Sequence, residues 1–312
     1  MGVPALPTRP LGDSRLKASV IGLGCNNFGR RIGDDATMAV LDAALANGVT
    51  FLDTADMYGD TRSEELMGQW LPAHRDRVVL ATKFGAWFGD GYQGARGSAE
   101  YIQLAVEASL RRLQTDVIDL YWYHRPDGVT PISETLEALD ALVRAGTVRA
   151  IGASNFSAAQ LEEADHVARE RGLTRFTAIQ NEYNLLMREA EADLLPLCER
   201  LGIAFIPYYP LASGLLTGKY QRDAPAPVGT RLANRDEIAT EQQWAVVEAL
   251  GGYAQERGLT LAEVAIGALL AQPAVGSVIA GATSAQQVEA NAAASGWTPS
   301  DTDLTALREL LG

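Results

Sequence analysis

The chain has 312 residues, 47% of them hydrophobic and 21% charged, with a formal net charge of -13 and a sequence pI near 4.7. That composition is globular rather than disordered, and the acidic balance argues against nucleic acid as a partner, because phosphates require stripes of Lys and Arg. Two cysteines far apart in the chain, Cys25 and Cys198, and three histidines fit no zinc or redox spacing, so no metal is expected.

The opening MGVPALPTRPLG lacks the basic-then-apolar pattern of a signal peptide, and no apolar run reaches 18 residues. The expectation is a cytoplasmic protein without a membrane span. Residues 1–17 read as a short leader or hairpin, and 19–29 as an apolar strand entering a Gly/Asn loop. Met38, Leu41 and Leu45 recur at helical spacing over 34–47, with Gly48 as the stop. Strand two is 49–53 and its helix 63–71; strand three is 76–82, ending at Lys83. Ser98 caps a helix to Leu113, and strand four, 117–123, ends at His124. Pro131 stands at the first position of the next helix, which runs to Ala145. Strand five (147–153) is tipped by Ser154 and Asn155, and Ser157 with Gln160 makes a capping box. Strand six is 176–180 with its helix at 190–201, and strand seven, 203–207, is tipped by Tyr208. A long Gly/Pro-rich connection, 209–239, precedes helical patterns at 240–257 and 260–271. Strand eight is 275–280, Thr283 with Gln286 caps the eighth helix, and 300–311 adds one more helix outside.

Eight strand-then-helix units follow one another, with short apolar strands of the kind buried on both faces. Right-handed crossovers close eight such units into a barrel. An open doubly wound sheet is the alternative, but GLGCNNFG is a poor match to GxGxxG. The expected fold is an α/β (β/α)8 TIM barrel forming one domain over 1–312 with an extra C-terminal helix.

In such a barrel chemistry sits at the C-terminal ends of the strands. Those ends carry Asp53 and Tyr58, Lys83, His124, Ser154 and Asn155, Gln180, Tyr208 and Gly281. Each has an ordinary structural reading: Asp53 as a helix or turn cap, Tyr58 as a half-buried aromatic, Lys83 as a solvated strand end, His124 as a satisfied core histidine. Four titratable types on one rim suit proton donation to a carbonyl. A phenol is a poor acid near neutrality unless a cation favours its phenolate; Lys83 would do so, Asp53 would hold Lys83 charged, and His124 would polarise the oxygen. No GxSxG or Ser/His/Asp spacing points to acyl transfer. Ser154, Asn155 and Gln180 suit a carboxamide, and Tyr208 a flat ring stacked upon it. Gly214, Gly218 and Lys219 in the loop 210–220, and Thr283 at a helix N-terminus, suit phosphates; a plain mobile connection is the other reading of that loop. Together these describe a nicotinamide dinucleotide supplying hydride.

The motifs VIGLG, FLDTADMYG, TKFG, SLRRLQTDVIDLYWYH, RAIGASNFS, IQNEYN, PYYPLASGLLTGKY and VIAGATSAQQVEAN span nearly the whole chain, which resembles the aldo-keto reductase superfamily. The resemblance implies a catalytic set of Asp53, Tyr58, Lys83 and His124 with Tyr58 as general acid. It implies nicotinamide contacts from Ser154, Asn155 and Gln180, stacking by Tyr208, and a pyrophosphate loop of Pro210, Leu211, Ser213, Gly214, Leu216 and Lys219. The adenosine end falls to Gly281, Thr283, Gln287 and Asn291. The implied activity is metal-free, reversible, NADPH-favouring reduction of a small-molecule aldehyde or ketone. The long Gly-rich segment resembles the bacterial branch that includes potassium-channel beta subunits. Two departures stand out: 281–291 contains no Lys or Arg for a 2′-phosphate, which turns attention to Arg231 as a clamp and admits NADH, and Ala290 stands where that branch often has Glu. Phe28, Met57, Trp87, Phe88 and Arg125 are the expected substrate contacts, an aromatic lining favouring small apolar carbonyls or sugars. Arg125 either favours a polar or anionic substrate or pairs with Asp127. A sugar or alcohol dehydrogenase running oxidatively and a slow cofactor-binding regulatory subunit are the competing readings; oligomeric state is not legible.

Overall fold

The computed structural model describes residues 6–312 apart from Asn234 and Asp236. The first part of the expected leader, 1–5, and those two positions of the long connection lie outside the described residues. Strands β1 (Thr8–Pro10) and β2 (Lys17–Ser19) pair antiparallel as a hairpin. Eight parallel strands then alternate with helices: β3 (Ile21–Gly24), α1 (Asp34–Ala46), β4 (Phe51–Asp53), α2 (Arg62–Trp70), β5 (Val79–Phe84), α3 (Ala99–Leu113), β6 (Ile118–Tyr123) and α4 (Ile132–Arg144). The second half continues with β7 (Val148–Ser154), α5 (Ala158–Arg171), β8 (Phe176–Glu182), α6 (Leu194–Leu201), β9 (Ala204–Tyr208), α7 (Glu241–Glu256), α8 (Leu261–Leu270), β10 (Val278–Gly281), α9 (Ala285–Ala293) and α10 (Asp301–Leu311).

The hydrogen-bonded order is β10-β3-β4-β5-β6-β7-β8-β9. A bridge between Phe205 and Val275, with the Gly276 N–H donating to the Phe205 carbonyl at 3.0 Å, brings β9 to the segment entering β10 and closes the (β/α)8 barrel. Its interior is filled by side chains from alternate strand positions, among them Phe51, Leu120, Trp122 and Ile206, with Leu11 from the hairpin turn plugging the base. Gly12 makes that plug possible. Its φ is +61°, and a Cβ there would stand 2.1 Å from the Thr177 carbonyl oxygen. No described helix is long and apolar enough to cross a membrane.

Caps define most helix starts. Ser98 and Ser157 act as expected, the latter in a full capping box with Gln160, and Thr240, Thr260 and Ser300 form three more. Several boundaries differ from expectation, five of them as follows. Strand three starts at Val79, because Arg75–Arg77 turns as a 3-10 helix. Pro131 is the N-cap rather than the first helical residue; Asp127 takes the N–H of Thr130 and delays the helix. The helix expected from 190 splits into a 3-10 turn, Glu189–Glu191, and α6. Strand eight begins at Val278. The cap of α9 is Ser284, since the Thr283 N–H is taken by the Gln287 side chain at 2.8 Å.

Candidate active site

At the C-terminal ends of the barrel strands lies a cleft of about 910 Å³. Among its buried polar groups is Asp53, the last residue of β4, which is 2% exposed. The Asp53 carboxylate accepts from the Lys83 ammonium, from the Trp122 indole N–H at 2.9 Å and from the Gln180 amide at 3.2 Å. Three donors converging on one carboxyl fit the ionised, acceptor-only form. Burial raises the Asp53 carboxyl, against the pull of Lys83 and of those hydrogen bonds.

Lys83, in β5, is 0% exposed and also donates to the Thr54 carbonyl at 2.8 Å. Burial works against its charge, but Asp53 and then Tyr58 outweigh that, and the balance keeps the ammonium. Its Nζ stands 4.9 Å from the centre of the Tyr58 ring. Burial pushes the Tyr58 phenol up; Lys83 pulls it down and Asp53 pushes it up again. The net direction is therefore opposite to the depressed phenol that a lysine alone would give. His124 closes the group edge-on, its ring centre 6.0 Å from that of Tyr58. Burial, helped by the charges of Lys83 and Arg125, holds its imidazole well below the usual histidine range, so the ring is neutral near pH 7. Its Nδ1 is buried without a hydrogen-bond partner.

Beside this group a fixed set of amides lines the cleft. Asn155 sits in the left-handed region at φ 59°, its amide N–H donating to the His124 carbonyl at 2.9 Å and to the Ser154 hydroxyl at 3.0 Å. The Tyr208 hydroxyl donates to Asn155 Oδ1 at 2.8 Å, and the Ser154 hydroxyl to the Gln180 carbonyl at 2.8 Å. Ser154 and Asn155 at the tip of β7, Gln180 in β8 and Tyr208 at the tip of β9 are thus one hydrogen-bonded unit.

The cleft also receives Met57, Arg125, Pro210, Arg231 and Gly281. The remaining candidates stand elsewhere. Leu216 is 0% exposed in the core under α7 and α8, where Leu211 also packs. Ser213 and Gly214 bend that loop through positive φ angles of 57° and 99°, and Lys219 folds back over Gly214, where a Cβ would lie 2.5 Å from its Nζ. Thr283 donates its N–H to the Gln287 side chain, and Asn291, further along α9, donates to the Gly281 carbonyl. Three expected substrate contacts, Phe28, Trp87 and Phe88, are not among the residues lining the cleft. Phe28 is fully buried, because the turn after Cys25 drives its apolar ring into the core. Trp87 is 74% exposed, and Phe88 stacks beside Arg96, which Asp90 anchors; that ion pair draws the loop off the cleft. Asp127 does not pair with Arg125: its carboxylate accepts from the N–H groups of Gly97, Val129 and Thr130 and from the Thr130 hydroxyl.

Sequence reading missed Trp122, which β6 places inside the barrel two residues before His124. The i, i+2 alternation with Leu120 was the available signal. It also missed Asn26, Arg30 and Arg31 on the loop after β3 and Val228–Thr230 on the long connection, which line the cleft and are joined by an Arg31 bond to the Gly229 carbonyl at 2.9 Å. The expected aromatic, weakly charged lining is replaced by one carrying Arg30, Arg31, Arg125 and Arg231.

The Aldo/keto reductase family model matches residues 20–311. A probable voltage-gated potassium channel subunit beta of Arabidopsis thaliana is 36% identical over 291 residues, covering 90% of this chain and 88% of that protein. Its namesake in Oryza sativa subsp. japonica shows the same identity and coverage. The uncharacterized oxidoreductase YrpG of Bacillus subtilis is 36% identical over 289 residues, 89% of this chain and 87% of that one.

Proposed function

The chain belongs to the aldo/keto reductase family, and from that premise we propose that it is an NADPH-dependent enzyme reducing an aldehyde or ketone to the alcohol, with Tyr58 as the proton donor. The observation that carries the reading is the cluster of Asp53, Lys83, Tyr58 and His124 at the base of the cleft. The lining also suits a dinucleotide: amides on fixed bonds for a carboxamide, and arginines for phosphates with Asp53 the one acid among the described lining residues. Ser154, Asn155 and Gln180 would hold the carboxamide and Tyr208 would stack on the ring; Arg231, with Lys219, would meet phosphate. When bound, the dinucleotide supplies the hydride.

The protein's own part is the proton. Gln180 donates one of its two amide N–H groups to Asp53, which leaves the other N–H and the oxygen for a carboxamide. The Tyr58 phenol gives its proton to the carbonyl oxygen and becomes phenolate beside the Lys83 ammonium, which Asp53 keeps charged. Burial opposes the phenolate, so the ammonium is what makes the transfer feasible. The neutral His124 polarises the same oxygen. An unpartnered acceptor nitrogen is less costly than an unpartnered N–H, which puts the imidazole proton on Nε2 and leaves Nδ1 bare.

The test pairs Tyr58→Phe with fluorescence titration by NADPH and by NADH. Turnover of a simple aldehyde should fall by ~10²–10⁴-fold while cofactor affinity stays near wild type; a variant at full rate would show that the proton comes from elsewhere. Arg231→Ala should weaken NADPH more than NADH, and equal losses would leave the 2′-phosphate without that clamp. A second reading, a slow cofactor-binding subunit, is favoured by the channel-subunit relatives; brisk steady-state turnover would exclude it. The same residues serve alcohol oxidation, which a preference for NAD⁺ and a high pH optimum would indicate.

A further inference from the structure

We propose that the carbonyl compound taken by this cleft carries a carboxylate, read by Arg125 beside His124 and supported by Arg30 on the opposite lip. The inference rests on the reductase reading above and names its substrate class.

The chain has 39 acidic against 26 basic residues, yet among the described residues the cleft lining holds four arginines and one acid, Asp53, which Lys83 neutralises. Two of the four have other employment. Arg31 donates to the Gly229 carbonyl and ties the strap at 228–230 to the loop after β3. Arg231 lies 5.1 Å from the centre of the Tyr209 ring, next to Pro210 and the loop expected to meet phosphates. Arg125 and Arg30 have no ionic or side-chain hydrogen-bond partner among the described residues.

Arg125 stands at the reacting end. It follows His124 directly, and its charge acts on both the His124 imidazole and the Tyr208 phenol, the groups on either side of the expected ring and carbonyl. The obvious internal counterion, Asp127, is saturated by four donors, three from its own turn and the fourth the Gly97 N–H ahead of α3. The phosphate contacts expected at Lys219, Arg231 and the Gly281 end lie on other segments, so a dinucleotide held there would not account for this guanidinium. On the opposite lip, Gly59 directly after Tyr58 packs against the Phe28 carbonyl, where a Cβ would meet oxygen at 2.7 Å, and this fixes the loop that presents Arg30. A guanidinium fork matches a planar carboxylate with two parallel hydrogen bonds.

The experiment compares 4-carboxybenzaldehyde with its neutral methyl ester, methyl 4-formylbenzoate, in steady state with NADPH. Wild type should favour the acid by ~10- to 100-fold in kcat/KM, the scale of a charge-assisted hydrogen bond. In Arg125→Gln the acid-to-ester ratio should fall close to one, through KM. Arg30→Gln should lower it by a smaller factor, and Arg125→Lys should restore part of it. An acid-to-ester ratio near one in wild type, or a ratio unmoved by Arg125→Gln, overturns the proposal while leaving the reductase reading intact. If neither aldehyde turns over, the reductase reading fails, and calorimetric titration of the protein plus NADP⁺ with terephthalate decides the anion site separately. Binding weakened at least tenfold by Arg125→Gln supports it, and no binding, or binding indifferent to that change, overturns it.

Discussion

Lys83 is a fully buried cation, and its charge survives because Asp53 lies against it and is itself held by Trp122 and Gln180. Removing one partner of such a pair strands the other, at a cost of about 3–5 kcal/mol. Lys83→Met should therefore lower folding stability by that order in chemical denaturation, and Asp53→Asn combined with it should recover much of the loss. A double variant as unstable as the sum of the singles would show that the two charges do not depend on each other. His124 gives a second expectation, with a definite sign. Its pKa in the folded protein lies well below 6.5, so between the two values the unfolded chain binds more protons. Stability from this residue is intact above about pH 7 and declines as pH falls through ~6.5. Denaturation midpoints followed from pH 7.5 to about 5.5 should fall less steeply in His124→Gln than in wild type; parallel curves would mean that another group titrates there. At this scale the sequence was informative where a polar residue ends an apolar run, as at Asp53, Lys83 and His124, because strand direction then dictates where the side chain emerges. It was uninformative at Phe28, Trp87 and Phe88, whose loops take their direction from contacts such as Arg96 with Asp90 that no periodicity encodes.

Strand β6 shows how an element carries the site. Alternation turns Leu120 and Trp122 inward and leaves Tyr121 and Tyr123 packed against the surrounding helices. The indole reaches Asp53 only because the neighbouring strand β7 offers Gly152, where a Cβ would stand 2.4 Å from the Trp122 ring. Gly152→Ala should displace the indole, loosen its bond to Asp53 and cost about 1–3 kcal/mol through overpacking. The measurement is thermal unfolding together with aldehyde turnover. Unchanged stability would mean that the ring shifts freely, and unchanged turnover would mean that its N–H is dispensable. Gly152→Ala with Trp122→Phe should recover stability without recovering rate. The eight strand–helix units were legible because each strand is a short apolar run bounded by turn residues and most helices open on a capping Ser or Thr. Two of the displaced boundaries share one cause: at 75–77 and 189–191 single 3-10 turns precede the regular element, and local composition does not separate a 3-10 turn from the start of a strand or α-helix.

Across the whole molecule the decisive feature is charge separation. A net charge of -13 surrounds a mouth lined by Arg30, Arg31, Arg125 and Arg231. Composition alone argues only that the surface repels polyanions, and it misses the mouth because the four arginines come from three segments, at 30–31, 125 and 231, which the barrel brings together. A cationic cleft in an anionic body attracts an anionic ligand at short range while the body repels it at long range, so added salt acts on the two in opposite senses. The Debye length shortens from about 30 Å at 0.01 M to about 8 Å at 0.15 M ionic strength. The first increments of salt should therefore screen the distant acidic surface and speed NADPH association, and further salt, cutting into the cleft itself, should slow it. Stopped-flow association rates from about 0.01 to 1 M salt should pass through a maximum, as those distances imply. Arg31→Ala, which also frees the strap from Gly229, should lower the high-salt limb and raise the dissociation rate. A rate that only falls with salt would mean that the cleft's field reaches beyond the acidic surface and dominates throughout. A rate indifferent to salt would mean that strap motion, rather than encounter, limits entry, and in that case Arg31→Ala should speed association instead of slowing it.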